Sequence, residues 1–94
     1  MARRVELLPR AQRELDSLPA VTRDQILVKL EMLREFPEMG APMVDAFGGY
    51  RAFLAVRGNY RVVYRVLSDQ LVEVAYIRHC ARQVGLRVVR SRKR

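Results

Sequence analysis

The stretch that decides the fold runs from Tyr50 to Val66 and reads YRAFLAVRGNYRVVYRV. On both sides of Arg57-Gly58-Asn59 the residues follow a period of two, which is typical of two strands joined in a hairpin. A two-residue turn at Gly58-Asn59 would mix arginines into both faces of the hairpin. A three-residue loop, Arg57 to Asn59, pairs Val56 with Tyr60 and separates charged from apolar residues. Because unpaired charge is costly to bury, we predict the three-residue loop.

This register predicts one apolar face and one basic face. The core face would carry Ala52, Leu54, Val56, Tyr60, Val62, Tyr64 and Val66. The open face would carry Arg51, Phe53, Ala55, Arg61, Val63 and Arg65. Phe53 would then be exposed among arginines, where its ring could stack on a base or meet a partner protein.

Helical spacing comes before the hairpin. Arg4 to Leu8 predicts a short strand, and apolar residues then repeat on one face of each of two helices, with Pro9 and Pro19 in or near their first turns. The repeating residues are Ala11, Leu15 and Leu18 in the first helix, and Ile26, Leu27, Leu30 and Leu33 in the second. Leu71 to Ile77 predicts a strand inside the sheet. We therefore predict an α+β fold in which an N-terminal strand and a two-helix hairpin pack on one face of a mainly antiparallel four-stranded sheet.

Composition indicates one domain, 1–94, with a basic C-terminal tail at 87–94. The net charge is +8, and residues 50–94 hold eleven Arg or Lys against two Asp or Glu. This asymmetry favours a polyanion or an acidic partner. A single cysteine, Cys80, excludes an internal disulfide and fits a reducing compartment. We expect a cytoplasmic protein without a membrane segment, a cofactor or a metal site.

Three segments resemble toxins of the RelE/ParE superfamily. Leu8 to Leu18 is similar to the first helix of these toxins, where an alanine precedes a Leu-x-x-Leu step. Gly58 to Val66 is similar to the central signature, a turn followed by Tyr-Arg-x-x-Tyr, and Val72 to His79 resembles the last strand running into a histidine. The resemblance implies the toxin of a type II toxin–antitoxin system, with a cognate antitoxin as partner and operator DNA bound only through the antitoxin complex.

In the ribonuclease branch, the resemblance implies cleavage of mRNA on the ribosome. Arg61 matches the arginine of the central strand, which stabilises charge at the phosphate, and His79 matches a histidine suited to acid/base chemistry near neutral pH. These two are the candidate catalytic residues of an endoribonuclease. The candidate RNA-binding residues are Arg51, Arg57, Arg65, Arg78 and Arg82.

The sequence also departs from the ribonuclease pattern. No tyrosine follows Tyr76, and Cys80-Ala81 stands where many members have an arginine after the histidine. Two alternatives to mRNA cleavage therefore stay open. One is a ParE-like toxin that inhibits DNA gyrase without nuclease activity, and the other is an inactive, basic, nucleic-acid-binding relative.

Overall fold

The computed structural model describes residues 3–80. The elements in chain order are β1 (Arg4–Leu7), α1 (Pro9–Asp16), α2 (Ala20–Met32), β2 (Ala41–Pro42), a 3-10 turn (Asp45–Phe47), β3 (Arg51–Ala55), β4 (Tyr60–Ser68) and β5 (Leu71–His79). The predicted α+β class, with a strand, a helical hairpin and a three-stranded meander, is confirmed. The basic tail 87–94 lies outside the described residues.

The five strands form one sheet in the order β1-β5-β4-β3-β2. β1 runs parallel to β5, and the other neighbours are antiparallel. The fifth strand, β2, was not predicted, because two residues carry no measurable alternation. Pro42 is tolerated because β2 is an edge strand, where the N–H group that proline lacks is not needed to bond to a further strand.

Both helices cover the same face of the sheet. Pro9 lies at the start of α1 and Pro19 caps α2, so each proline ends the preceding segment and opens a helix. The buried residues that meet in this core are Ala11, Leu15, Ile26, Leu30 and Leu33 from the helical hairpin, and Val62, Tyr64, Val72, Val74 and Ile77 from the sheet. The predicted stripe is confirmed apart from Leu27, which is 41% exposed.

The predicted register of the hairpin is wrong by one residue. Ala55 pairs with Tyr60 and Leu54 with Arg61, so the loop has four residues, Val56 to Asn59. The alternation along β4 is as predicted, but β3 is inverted. Leu54 is 54% exposed on the side away from the helices, while Phe53 packs against the core with its ring centroid 5.9 Å from that of Tyr64.

The inversion is possible because Arg51 finds acceptors for its charge. Arg51 pairs with Tyr64 on the helix side of the sheet, and its guanidinium donates to the Gly40 carbonyl at 2.6 Å and to the Glu38 carbonyl at 3.3 Å. The prediction assumed that an arginine on this face would be unpaired. Carbonyl groups of the 37–40 loop remove that penalty.

The 37–40 loop is also held by the buried Tyr64 side chain. Its hydroxyl donates to the Pro37 carbonyl at 2.6 Å and accepts from the Gly40 N–H at 2.9 Å. A Cβ at position 40 would lie 2.9 Å from the Tyr64 ring and hydroxyl and from the Ala52 carbonyl oxygen, so glycine is required for this close approach. No helix among residues 3–80 is both long and apolar enough to cross a membrane.

Candidate functional site

The face of the sheet that the helices leave uncovered is called the open face below. Cross-strand pairing assigns its residues, because partners directly opposite each other project to the same side. They are Ala52, Leu54, Arg61, Val63, Arg65, Glu73, Tyr76 and Arg78. The open face therefore mixes arginines with aromatic and aliphatic side chains. Of the residues predicted for it, Arg61, Val63 and Arg65 are present, whereas Arg51, Phe53 and Ala55 lie on the helix side.

Arg61 and Arg78 stand directly opposite each other on β4 and β5. Like charges in this position destabilise a sheet, so the pair is a candidate for function rather than for stability. The Arg78 guanidinium lies 3.6 Å from a Glu14 carboxylate oxygen and 5.0 Å from the centre of the Tyr76 ring. Arg61 has no ion-pair partner within residues 3–80. Its charge is thus available to a ligand.

Arg65, a predicted RNA-binding residue, is on the open face as expected but is already engaged. Its Nε lies 3.0 Å from Glu73 Oε1, and its guanidinium lies 5.2 Å from the centre of the Tyr50 ring. Both partners are partly exposed, so the pair contributes little to stability. The Glu73 carboxylate nevertheless offsets part of the positive charge that was predicted for this face.

His79 lies on the side of the sheet opposite to Arg61. It pairs with Tyr60, and the two rings meet edge-on with centroids 4.8 Å apart. Since Arg61 pairs with Arg78, the neighbouring His79 projects toward the helices, beside Ser17 and Leu18. The two predicted catalytic residues are therefore not brought together.

The remaining predicted residues are scattered. Arg57 lies in the four-residue loop, and Arg51 is on the helix side, contrary to the predicted open-face position. Arg82 lies outside the described residues. In the part of the chain that the structure describes, no cluster of three or more His, Cys, Asp or Glu side chains could hold a metal ion.

A cleft on the open face brings together residues that the sequence prediction did not select. It is lined by Leu8, Pro9, Arg10, Ala46, Phe47, Tyr50, Val63, Ala75 and Tyr76. Pairing passes from Val63–Tyr76 to Tyr64–Val74, which leaves Ala75 as an extra residue in β5. This bulge breaks the alternation, so the sequence of β5 gives no sign that Tyr76 faces away from the helices.

A family model described as the ParE toxin of the type II toxin–antitoxin system parDE matches residues 5–84. The chain belongs to this ParE toxin family. It is a toxin of a type II toxin–antitoxin system, and the RelE/ParE resemblance seen in the sequence is confirmed. Comparison with curated protein sequences gives no match.

Solved structures of toxin–antitoxin proteins share the fold. A chain of the RelBE2 toxin–antitoxin complex of Mycobacterium tuberculosis matches with a TM-score of 0.70 and 25% identity, over 84% of this chain and 99% of that chain. A mutant E. coli RelE toxin in the free state matches with a TM-score of 0.71 and 25% identity, over 97% of this chain and 98% of that chain. A chain of the P. aeruginosa ParDE system has a TM-score of 0.69 at 14% identity, over 83% and 96% of the two chains, which shows the fold alone.

Proposed function

We propose that this toxin arrests growth by binding DNA gyrase without cutting nucleic acid, and that a cognate antitoxin neutralises it. The observation that carries the proposal is the placement of Arg61 and His79 on opposite faces of the sheet. An acid/base group must lie within hydrogen-bond reach of the reacting atoms that the charge-stabilising group also contacts. Side chains on opposite faces of a sheet point away from each other, which disfavours contact of Arg61 and His79 with the same phosphate.

The contacts of Arg51 support the same mechanism. Its guanidinium is bonded to the carbonyls of Glu38 and Gly40, so it holds a loop on the helix side. A nuclease on the open face would have to work without Arg51 and His79. The match to the ParE toxin family over residues 5–84 also favours the gyrase-inhibiting branch.

Ribosome-dependent mRNA cleavage is the second candidate. It is favoured by the facing pair Arg61 and Arg78, two guanidiniums that could hold a phosphate on the open face. RelE structures at 25% identity also match the chain. On this alternative the ribosome and mRNA are the partners, Arg61 stabilises charge, and a residue other than His79 transfers the protons.

The antitoxin partner follows from the family and from the complexes among its structural relatives. The related M. tuberculosis and E. coli structures are toxin–antitoxin complexes. We propose that this chain likewise forms one cytoplasmic domain that binds a cognate antitoxin, and that it reaches operator DNA only through that complex. The outward side of α2 exposes Val21, Val28 and Met32, an apolar surface that a partner can cover.

Pulse labelling in cells tests the proposal. After induction, a gyrase inhibitor should stop incorporation of labelled thymidine before it stops incorporation of labelled methionine. Co-expression of the antitoxin should restore both. A toxin that cuts mRNA gives the reverse order, because protein synthesis depends directly on intact mRNA. Loss of methionine incorporation first, with normal DNA synthesis at that time, would overturn the gyrase proposal.

A further inference from the structure

The open-face cleft has an unusual combination of lining residues. Three aromatic side chains, Phe47, Tyr50 and Tyr76, line it together with the apolar Val63 and Ala75. Phe47 is 45% exposed, although burial of an aromatic ring away from water is favourable. Aromatic rings at a concave surface are typical of sites that receive a flat ligand.

Three arginines lie near these rings, and two of them, Arg65 and Arg78, also form the ion pairs with Glu73 and Glu14 described above. Arg10 is the charged residue among those lining the cleft, and it has no ion-pair partner within residues 3–80. The guanidinium of Arg65 lies over Tyr50 and that of Arg78 over Tyr76. Each tyrosine ring is thus in contact with an arginine on one of its two faces. Among residues 3–80, no carboxylate lines the cleft.

We propose that this cleft is a stacking site for an unpaired base of single-stranded nucleic acid. The base stacks on the aromatic rings, and Arg10 contacts a neighbouring phosphate. Stacking platforms beside a basic groove are the usual means of binding single strands without reading their sequence. The inference does not depend on gyrase being the target, because it concerns a site in the isolated toxin.

The charge around the cleft selects this ligand over a peptide. A peptide with apolar side chains would fit the floor of the cleft but would leave the Arg10 guanidinium without a counter-charge. A single strand supplies flat rings and phosphates at alternating positions, which matches aromatic walls beside a free arginine. DNA and RNA share these groups, so both are tested.

The experiment is a fluorescence anisotropy titration of the full chain, made by cell-free synthesis, with labelled oligothymidylate and oligouridylate. A third oligonucleotide of the same length is abasic and carries the same phosphates. Stacking predicts that Tyr76→Leu weakens binding of the two base-containing strands by about five- to a hundredfold and that Tyr76→Phe does not. The abasic strand should bind more weakly than either and should be insensitive to Tyr76→Leu.

Matched variants separate the site from general electrostatic attraction. Phe36 is 58% exposed on a different cavity, so Phe36→Leu should leave binding unchanged. Arg10→Gln should reduce the slope of log affinity against log salt by about 0.7, the value for one phosphate contact on a single strand. Arg23→Gln on α2 is its control. Equal binding of abasic and base-containing strands, an effect of Phe36→Leu as large as that of Tyr76→Leu, or no binding at low salt would each overturn the proposal.

Thermal unfolding of every variant accompanies the titrations. If Tyr76→Leu unfolds, Tyr50→Leu and Phe47→Leu test the same cleft, and each is expected to weaken binding of base-containing strands. Failure of this site would leave the gyrase proposal untouched, since that rests on labelling in cells. Normal stacking with unaffected DNA synthesis would instead overturn the gyrase proposal alone.

Discussion

At the scale of single residues, the Tyr64 side chain is fully buried and its hydroxyl is bonded on both sides to the 37–40 loop. Tyr64→Phe would leave the Gly40 N–H and the Pro37 carbonyl without this partner. We expect a loss of about 1–3 kcal/mol in the free energy of unfolding, measured with urea. Tyr60→Phe is the control, because its hydroxyl has no hydrogen bond within residues 3–80. Equal effects of the two substitutions would contradict this role of Tyr64.

The same side chain predicts a dependence of stability on pH. Burial raises the pKa of Tyr64 above its usual value of 10.0, although the Gly40 hydrogen bond and the Arg51 charge act in the opposite direction. A group whose pKa is raised by folding stabilises the protein below its unfolded pKa, and that stability is lost as the pH rises through the folded pKa. The free energy of unfolding should therefore fall above about pH 10. The fall should be smaller in Tyr64→Phe, and identical curves would refute the assignment.

At the scale of elements, the loop between β3 and β4 has three consecutive residues with positive φ, at 56° for Val56, 58° for Arg57 and 80° for Gly58. We expect Gly58→Ala to destabilise the protein by about 1–2 kcal/mol, because a Cβ disfavours this backbone conformation. Gly48 has φ of −55° and is the control. Gly48→Ala should change the free energy of unfolding by less than about 0.5 kcal/mol. Equal losses in urea unfolding would contradict the loop conformation.

That loop also marks where prediction from the sequence failed. The elements and the buried helix stripe follow from periodicity and proline placement, and the alternation of β4 was predicted correctly. Loop length was predicted from the cost of mixing unpaired arginines into both faces of the hairpin, and the structure does place Arg51 on the core face. That cost is absent because Glu38 and Gly40, more than ten positions earlier in the chain, supply carbonyl acceptors. Local periodicity does not reveal contacts between residues that are far apart in the sequence.

The candidate site was predicted only in part for the same reason. Arg61 and Arg65 are on the open face, as the alternation of β4 indicated, whereas Arg78, which the sequence assigned to no face, lies opposite Arg61. His79 follows Arg78 directly, so a strand that continues to His79 must place it on the other side. The predicted strand ended at Ile77, so its alternation assigned His79 to neither face of the sheet. The bulge at Ala75 likewise concealed the position of Tyr76.

At the scale of the whole molecule, positive charge is concentrated toward the C-terminus. All ten acidic residues lie between positions 3 and 80 with twelve basic residues, a balance of +2, while residues 81–94 hold six basic residues and no acidic one. Several arginines of the described part are paired, among them Arg4 with Glu6, Arg65 with Glu73 and Arg78 with Glu14. We therefore expect a polyanion to be attracted mainly by unpaired arginines such as Arg10 and Arg61, and by the basic residues of 81–94.

The supercoiling activity of purified DNA gyrase tests the central claim most directly. The toxin should inhibit supercoiling of relaxed plasmid, and His79→Ala toxin that unfolds at the same temperature should inhibit it equally, because no proton transfer is involved. Addition of the antitoxin should restore supercoiling. Full supercoiling at toxin concentrations that arrest growth, with codon-positioned cuts in mRNA translated in vitro that disappear with Arg61→Ala, would contradict the account.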